Sequence, residues 1–223
     1  MAEKRSKKRR KRRVKAYASR SVFFIVISFV VLLLSIGAFR LVQNFQPADS
    51  AIDGGDSIEV KKDGTIYGYI EEDFSKDYYE TDGLKSMIEA EIAEYAKISG
   101  SQTCVELKDF SVDNGMVNVL LVYESAQDYR SYNNTVLYTG MVSELIEQGV
   151  SFDRPLLSAD AEGNALPSDN LSSVGASHAV VFNEKVSVKV PGKILYHSDN
   201  VSLTVKKTVV ANGDSTESAV IIY

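Results

Sequence analysis

The chain has 223 residues, a net charge of −5, 44% apolar residues, four prolines, fourteen glycines and one cysteine. These values exclude collagen-like, low-complexity and wholly disordered classes, and a single cysteine excludes a disulfide-stapled scaffold or a multi-cysteine zinc site. The average conceals a partition: residues 1–40 carry twelve basic residues against one acidic, a surplus of eleven positive charges, whereas residues 41–223 carry 13 basic against 29 acidic, a surplus of sixteen negative charges.

Between Arg20 and Arg40 lie nineteen residues without a charge, including Phe23, Phe24, Ile25, Val26, Ile27, Phe29 and the run Val30 to Leu34. As a helix they would extend roughly 28 Å, close to the roughly 30 Å hydrocarbon core of a bilayer. They are apolar all round, without the polar face of a helix lying on a soluble core. The spacing therefore predicts a transmembrane helix over 21–39, preceded by a basic tail over 1–20. Because Lys7, Lys8, Arg9, Arg10, Lys11, Arg12, Arg13 and Arg20 all precede the span, the tail is expected in the cytoplasm and the bulk of the chain outside it. The same residues are expected to contact anionic lipid headgroups. Nucleic-acid binding is disfavoured, since no aromatic residue interleaves the basic run before Tyr17. Cleavage as a signal peptide is the competing reading, with Ser35 and Gly37 as small residues near the end of the run and a secreted product as its consequence.

A linker over 40–56 follows, rich in aspartate and glycine and stopped by Pro47. Residues 57–157 read as an α+β domain, β-β-α-β-β-α on an antiparallel sheet. Asp63-Gly64 and Asn114-Gly115 mark two hairpins, and a change of parity near Asp109 predicts a bulge. Leu84, Met87, Ile88, Ile92 and Tyr95 predict one helix, with Gly100 just past its end. Ser125, as N-cap, and the series Tyr129, Tyr132, Val136, Leu137, Met141, Leu145 and Ile146 predict a second helix, ended by Gly149. The nearly continuous apolar run Val117 to Val122 is expected in the middle of the sheet. A polar connection over 158–177 and short strands over 178–223 predict a separate β-rich C-terminal unit.

Chemistry-bearing residues are few. His178 and His197 have Ser177 and Ser198 beside them, without a Gly-x-Ser-x-Gly elbow. Cys104 falls on an expected strand, which favours packing over reactivity. The acidic run Glu71, Glu72, Asp73, Asp77, Glu80 and Asp82 supplies carboxylates for acid–base chemistry, although such clustering is expected in so acidic a segment. Asp49, Asp53 and Asp56 in the linker and Asp160, Glu162 and Asn164 in the later connection place oxygen ligands on flexible backbone, and neither stretch fits a calcium loop. Tyr78 and Tyr79 are the pair expected at an exposed contact surface. No catalytic, cofactor-binding or metal-ligating residue is assigned.

The segments Lys62-Asp63-Gly64-Thr65-Ile66, Glu72-Asp73-Phe74 with Tyr78-Tyr79, and Val190-Pro191-Gly192-Lys193-Ile194-Leu195-Tyr196 are similar to those of envelope proteins and lipoproteins of unknown function in Firmicutes, especially Clostridia. The resemblance spans most of 57–223 and implies a bacterial cell-surface location, with no activity or catalytic residue attached. Lipoprotein members would carry a lipidated cysteine, and this chain has the apolar run instead. The sequence thus predicts a membrane-anchored extracytoplasmic binding or structural module of the bacterial envelope. Its expected partners are the anionic bilayer and an envelope protein or polymer. The alternatives are an envelope hydrolase using carboxylates and an accessory or sensor subunit of a membrane complex.

Overall fold

Local turn chemistry shapes the first half of the fold. The computed structural model describes residues 55–76, 79–160, 163–205, 208–211 and 217–223. Strands β1 (Ser57–Val60) and β2 (Ile66–Asp73) form a hairpin at Asp63-Gly64, where Lys61 N donates to Thr65 O at 2.9 Å and Gly64 has a φ of 88°. Strands β3 (Val105–Asp113) and β4 (Met116–Tyr123) form the second, with Asn114 and Gly115 at φ 50° and 77°, as an Asn-Gly turn requires. The register of β3 on β4 shifts between Leu107 and Asp109, the bulge that the parity change predicts. Helix α1 (Thr81–Ser99) ends at the left-handed Gly100 and lays Leu84, Ile88, Ile92, Tyr95 and Ala96 on the core. Met87 instead points outward.

The expected second helix is replaced by three elements. Ser125 does cap α2 (Ala126–Asn133), its Oγ accepting from Asp128 N at 3.1 Å. The helix stops at Asn134, which is left-handed at φ 52°, and the β-branched Thr135 and Val136 follow. There Asn183 Oδ1 accepts from Thr135 Oγ1 at 2.9 Å and from Val136 N at 3.0 Å, holding the chain out of the helix. Leu137–Met141 is then strand β5, and a short α3 (Val142–Glu147) begins after it. Tertiary pairing has overridden a helical apolar spacing in a segment of weak helix propensity.

The remaining strands are β6 (Leu156–Ser158), β7 (Ala165–Leu166), β8 (His178–Phe182), β9 (Ser187–Lys189), β10 (Tyr196–Ser198), β11 (Val201–Val205), β12 (Thr208–Ala211) and β13 (Ala219–Ile222). They do not form a unit of their own. Sheet A has the order β11-β12-β9-β1-β2-β4-β3 and sheet B the order β5-β8-β13-β10-β6-β7. Strand β9 pairs in parallel with β1, and β8 pairs with both β5 and β13, so strands from beyond residue 177 enter both sheets. The expected α+β domain with an antiparallel sheet and an appended β-rich unit is thereby corrected. The described residues form a mostly-β structure of thirteen strands in two sheets, with three α-helices, and sheet A is mixed.

The cause is two-sided burial. Ala179 to Phe182 and Ala219 to Ile222 are buried at every position, so β8 and β13 need layers on both faces and neighbours at both edges. On one face Val180, Phe182, Ala219 and Ile221 join Ile58, Leu121 and Val188 of sheet A in the main core. On the other, Ala179, Val181, Val220 and Ile222 pack with Val142 and Leu145 of α3. Leu171 and Val174 pack there too, from a 3-10 helix (Ser168–Val174) within the expected exposed connection. Strand β4 lies one place from the edge of sheet A, and its burial alternates, leaving Leu120 and Val122 half-buried on the outer face.

The basic tail, the span over 21–39 and the linker up to residue 54 lie outside the described residues. Among the described residues no helix is long and apolar enough to cross a membrane.

Shortening the chain at residue 177 removes β8 and β13 from the centre of sheet B and β9 from beside β1. It is expected to leave 55–157 unable to fold, read as loss of cooperative thermal unfolding. Phe182→Ala, at a position 0% exposed, is expected to destabilise the whole domain by about 3–5 kcal/mol in a single denaturation transition.

Candidate functional site: a half-buried carboxylate junction

Strand alternation determines which side chains of sheet A look inward. On β2 the inward series is Ile66, Gly68, Ile70 and Glu72, opposite Tyr123, Leu121, Val119 and Val117 of β4. A carboxylate thus occupies a core-facing parity. Gly68 is buried, and a Cβ there would lie 3.2 Å from Tyr123 Cε2 and 3.6 Å from Tyr129 Cε2, so its lack of a side chain makes room for two rings. Those rings meet edge to face at 4.8 Å, and Tyr132 and Tyr95 extend the cluster at 5.8 Å and 5.5 Å.

Two further carboxylates reach this region. Asp56, immediately before β1, has a carbonyl that accepts from Ser187 N at 3.1 Å and an Oδ1 that accepts from Glu71 N at 3.2 Å. Glu71 Oε2 in turn accepts from Gly55 N at 3.1 Å. Glu184, between β8 and β9, accepts through Oε2 from the Tyr129 hydroxyl at 2.8 Å, and Tyr129 is only 6% exposed.

All three acids are harder to ionise than usual. Burial pushes Glu72 up to about 7 from 4.5, helped by the charges of Asp56 and Asp73. Burial raises Asp56, with the Glu71 N–H opposing it and the Glu71 charge adding to it. Burial also raises Glu184, against the hydrogen bonds from Tyr129 and Thr135 and with the charge of Asp56. Tyr129 is held well above its ordinary value, by burial first and then by Glu184. The charge of Asp56 acts on both Glu72 and Glu184, and among the described residues none of the groups named as acting on these acids is cationic. The outer face of the same sheet shows the contrast. Burial works against Glu59, but Lys61 at 2.7 Å and Lys189 at 3.1 Å prevail and hold its carboxyl below the usual range.

Chemically, a carboxyl near 7 can both give and take a proton at neutral pH. The sequence offered a signal for Glu72, whose parity matches Ile66 and Ile70, yet the acidic run around it reads as a solvated face. Asp56 falls within the expected linker, and nothing in its neighbourhood marks Glu184.

The residues singled out from the sequence lie elsewhere. Lys7, Lys8, Arg9, Arg10, Lys11, Arg12, Arg13, Arg20 and Tyr78 are outside the described residues. Tyr79 is half-buried and stacks on Phe74 at 4.8 Å. Cys104 is 1% exposed, with Sγ 3.2 Å from Ser101 O and 3.1 Å from Ser99 Oγ. His178 is exposed beside the Tyr223 ring, and His197 Nδ1 lies 3.0 Å from Ser198 O. The fully buried Ser198 hydroxyl donates to Asn200 Oδ1 at 2.6 Å and accepts from Val220 N at 2.8 Å, a structural role in capping the β10–β13 pairing. Asp160 Oδ1 accepts from Gly163 N at 3.1 Å within its own turn. Among the described residues no three His, Cys, Asp or Glu side chains are grouped to hold a metal ion.

The raised acids link stability to pH with a definite sign. Between pH 4.5 and about 7 the folded state holds a proton on Glu72 that the unfolded chain has released, so stability falls as pH rises through that window. Asp56 and Glu184 act in the same direction. Glu72→Gln is expected to flatten the decline of Tm over this range, measured by thermal denaturation from pH 4.5 to 7.

Comparison with protein-family models, with curated proteins and with solved structures finds no match to this chain.

Proposed function

We propose that the chain is a membrane-anchored extracytoplasmic binding or structural module of the bacterial cell envelope. The observation that carries this reading is the charge partition across one uncharged stretch: eleven surplus positive charges over 1–40, sixteen surplus negative charges over 41–223, and nineteen uncharged residues over 21–39. A basic flank retained on the cytoplasmic side orients the span so that the β-rich body emerges outside. The resemblance read in the segments 62–66, 72–79 and 190–196 implies the same location. The body suits a binding or structural role because its cysteine is packed away and Ser198, beside His197, accepts from a backbone N–H.

A second reading, an envelope hydrolase, is favoured by one observation: Glu72 stands on the core-facing parity of β2, where burial pushes its carboxyl up to about 7. Under the first reading, wild type and Glu72→Gln alike release no reducing ends from a cell-wall preparation. Release by the wild type with a pH midpoint near 7, lost in Glu72→Gln, would establish the second.

Fractionation of tagged cells with protease added outside tests the anchor and its orientation. The expected result is a full-length chain in the membrane fraction whose residues 57–223 are digested from outside. Neutralising Lys7, Lys8, Arg9, Arg10, Lys11, Arg12 and Arg13 together is expected to lower the digested fraction by mis-orienting the span. A shortened, released chain or a protected body would contradict the proposal.

A further inference from the structure

The outer face of sheet A is apolar where a solvated sheet face is polar. Register places Glu59, Tyr67, Val122 and Glu106 in one row across β1, β2, β4 and β3, and Ser57, Tyr69, Leu120 and Asp109 in the next. All eight stand on the parity opposite to Ile58, Ile66, Leu121 and Val105, which are buried in the main core. Tyr67, Tyr69, Leu120 and Val122 thus form a two-by-two apolar square over the β2–β4 seam. Each is half-buried, and none belongs to either hydrophobic core of the described residues. A sheet face left to water carries polar side chains along its strands. Here the charged groups of the two rows stand to the sides of the square, and their signs differ. One strand out, on β1, Glu59 is held by two lysines, Lys61 at 2.7 Å and Lys189 at 3.1 Å, and Lys61 also lies 4.3 Å from the Tyr67 ring centroid. One strand out on the other side, β3 exposes two acids, Glu106 and Asp109, against the single Lys108, 3.5 Å from Glu106.

We propose that this face pairs with the same face of a second copy of the chain, about a two-fold axis running along the β2–β4 seam. Rotation about that axis lays one apolar square on the other, so that Tyr67 meets Val122 and Tyr69 meets Leu120. The same rotation exchanges β1 with β3, because each lies one strand from the seam. The flank with two lysines to one carboxylate therefore lands on the flank with two acids to one lysine, and it does so twice. Sheets stacked face to face keep their strands nearly aligned, which is the orientation this axis produces. An axis across the strands would instead set Glu106 against Asp109, acid on acid. Five strands at about 4.8 Å and six residues along them at about 3.3 Å cover on the order of 500 Å² per copy, the size of a weak contact. The pairing is therefore loose between free copies and forms where copies are confined together. For that confinement the inference rests on the proposed anchor. An axis along the strands leaves Gly55, just before β1, at the same end in both copies, as two chains anchored in one membrane require.

Energy transfer between full-length chains in liposomes tests the pairing. Cys104 is 1% exposed, so a dye on Ser86→Cys, exposed on α1, labels one site. Flotation of the chain with the lipid reports the anchor, and transfer from donor to acceptor copies reports the pairing, so each can fail without the other. At a low protein-to-lipid ratio, copies without further substitution are expected to transfer. Lys61→Glu and Glu106→Lys are each expected to weaken pairing by about tenfold or more, because each sets like charges together at both flanks. A mixture of Lys61→Glu donors with Glu106→Lys acceptors is expected to recover it, because opposite charges then meet at both flanks, a recovery that misfolded chains would not show. No transfer between the unsubstituted copies would overturn the pairing, as would undiminished transfer in both variants or no gain on mixing them. Should either variant fail to fold, Leu120→Glu in the apolar square takes its place; transfer that persists in it would also overturn the pairing. A chain that stays off the lipid contradicts the anchor alone, and the charge exchange is then read by sedimentation of the lipid-free chain.

Discussion

Two strands with no outward side govern this fold. Because β8 and β13 bury all of residues 179–182 and 219–222, neither can lie at an edge or on a surface, and each must be sandwiched between layers. Sheet A supplies one layer through Ile58, Leu121 and Val188, and α3 with the 3-10 helix supplies the other. The diversion of Leu137–Met141 from helix to strand follows, since β8 needs a partner on the side away from β13. The parallel insertion of β9 beside β1 then ties the chain's later strands to its first.

That interleaving also creates the carboxylate junction. The β8–β9 connection must carry the chain from sheet B to sheet A, and it passes the start of β1, where Ser187 N meets Asp56 O. Glu184 lies on this crossing, where it accepts from the Tyr129 hydroxyl, and Glu72 lies on the inward parity of β2. Burial raises all three, with no cation acting on them among the described residues, while Glu59 on the opposite face keeps two lysines and shifts the other way. The difference between the faces is one of partners rather than of residue type. Ionising buried acids at such places costs stability as pH rises.

Much of the local structure was legible. Asp63-Gly64 and Asn114-Gly115 encode their turns through left-handed residues, the parity change encodes the bulge at Asp109, and Gly100 encodes the end of α1. The spacing predicts an unbroken second helix because Tyr129 to Ile146 keeps a helical apolar period, while the decisive contact, Asn183 on Thr135 and Val136, comes from almost fifty residues away. Composition predicts a separate unit for the C-terminal strands because their pairing with β1 and β5 leaves no trace in it. Glu72 could have been recognised from strand parity; Asp56 and Glu184 depend wholly on tertiary placement.

The most direct measurement is a carboxyl-carbon NMR titration of Asp56, Glu72 and Glu184 in the wild type and in Asp56→Asn. An uncompensated, coupled junction predicts that all three titrate above their ordinary range, with Glu72 near 7, and that Glu72 and Glu184 both move down when Asp56 is replaced. Three independent titrations in the ordinary carboxylate range, unmoved by the substitution, would contradict it.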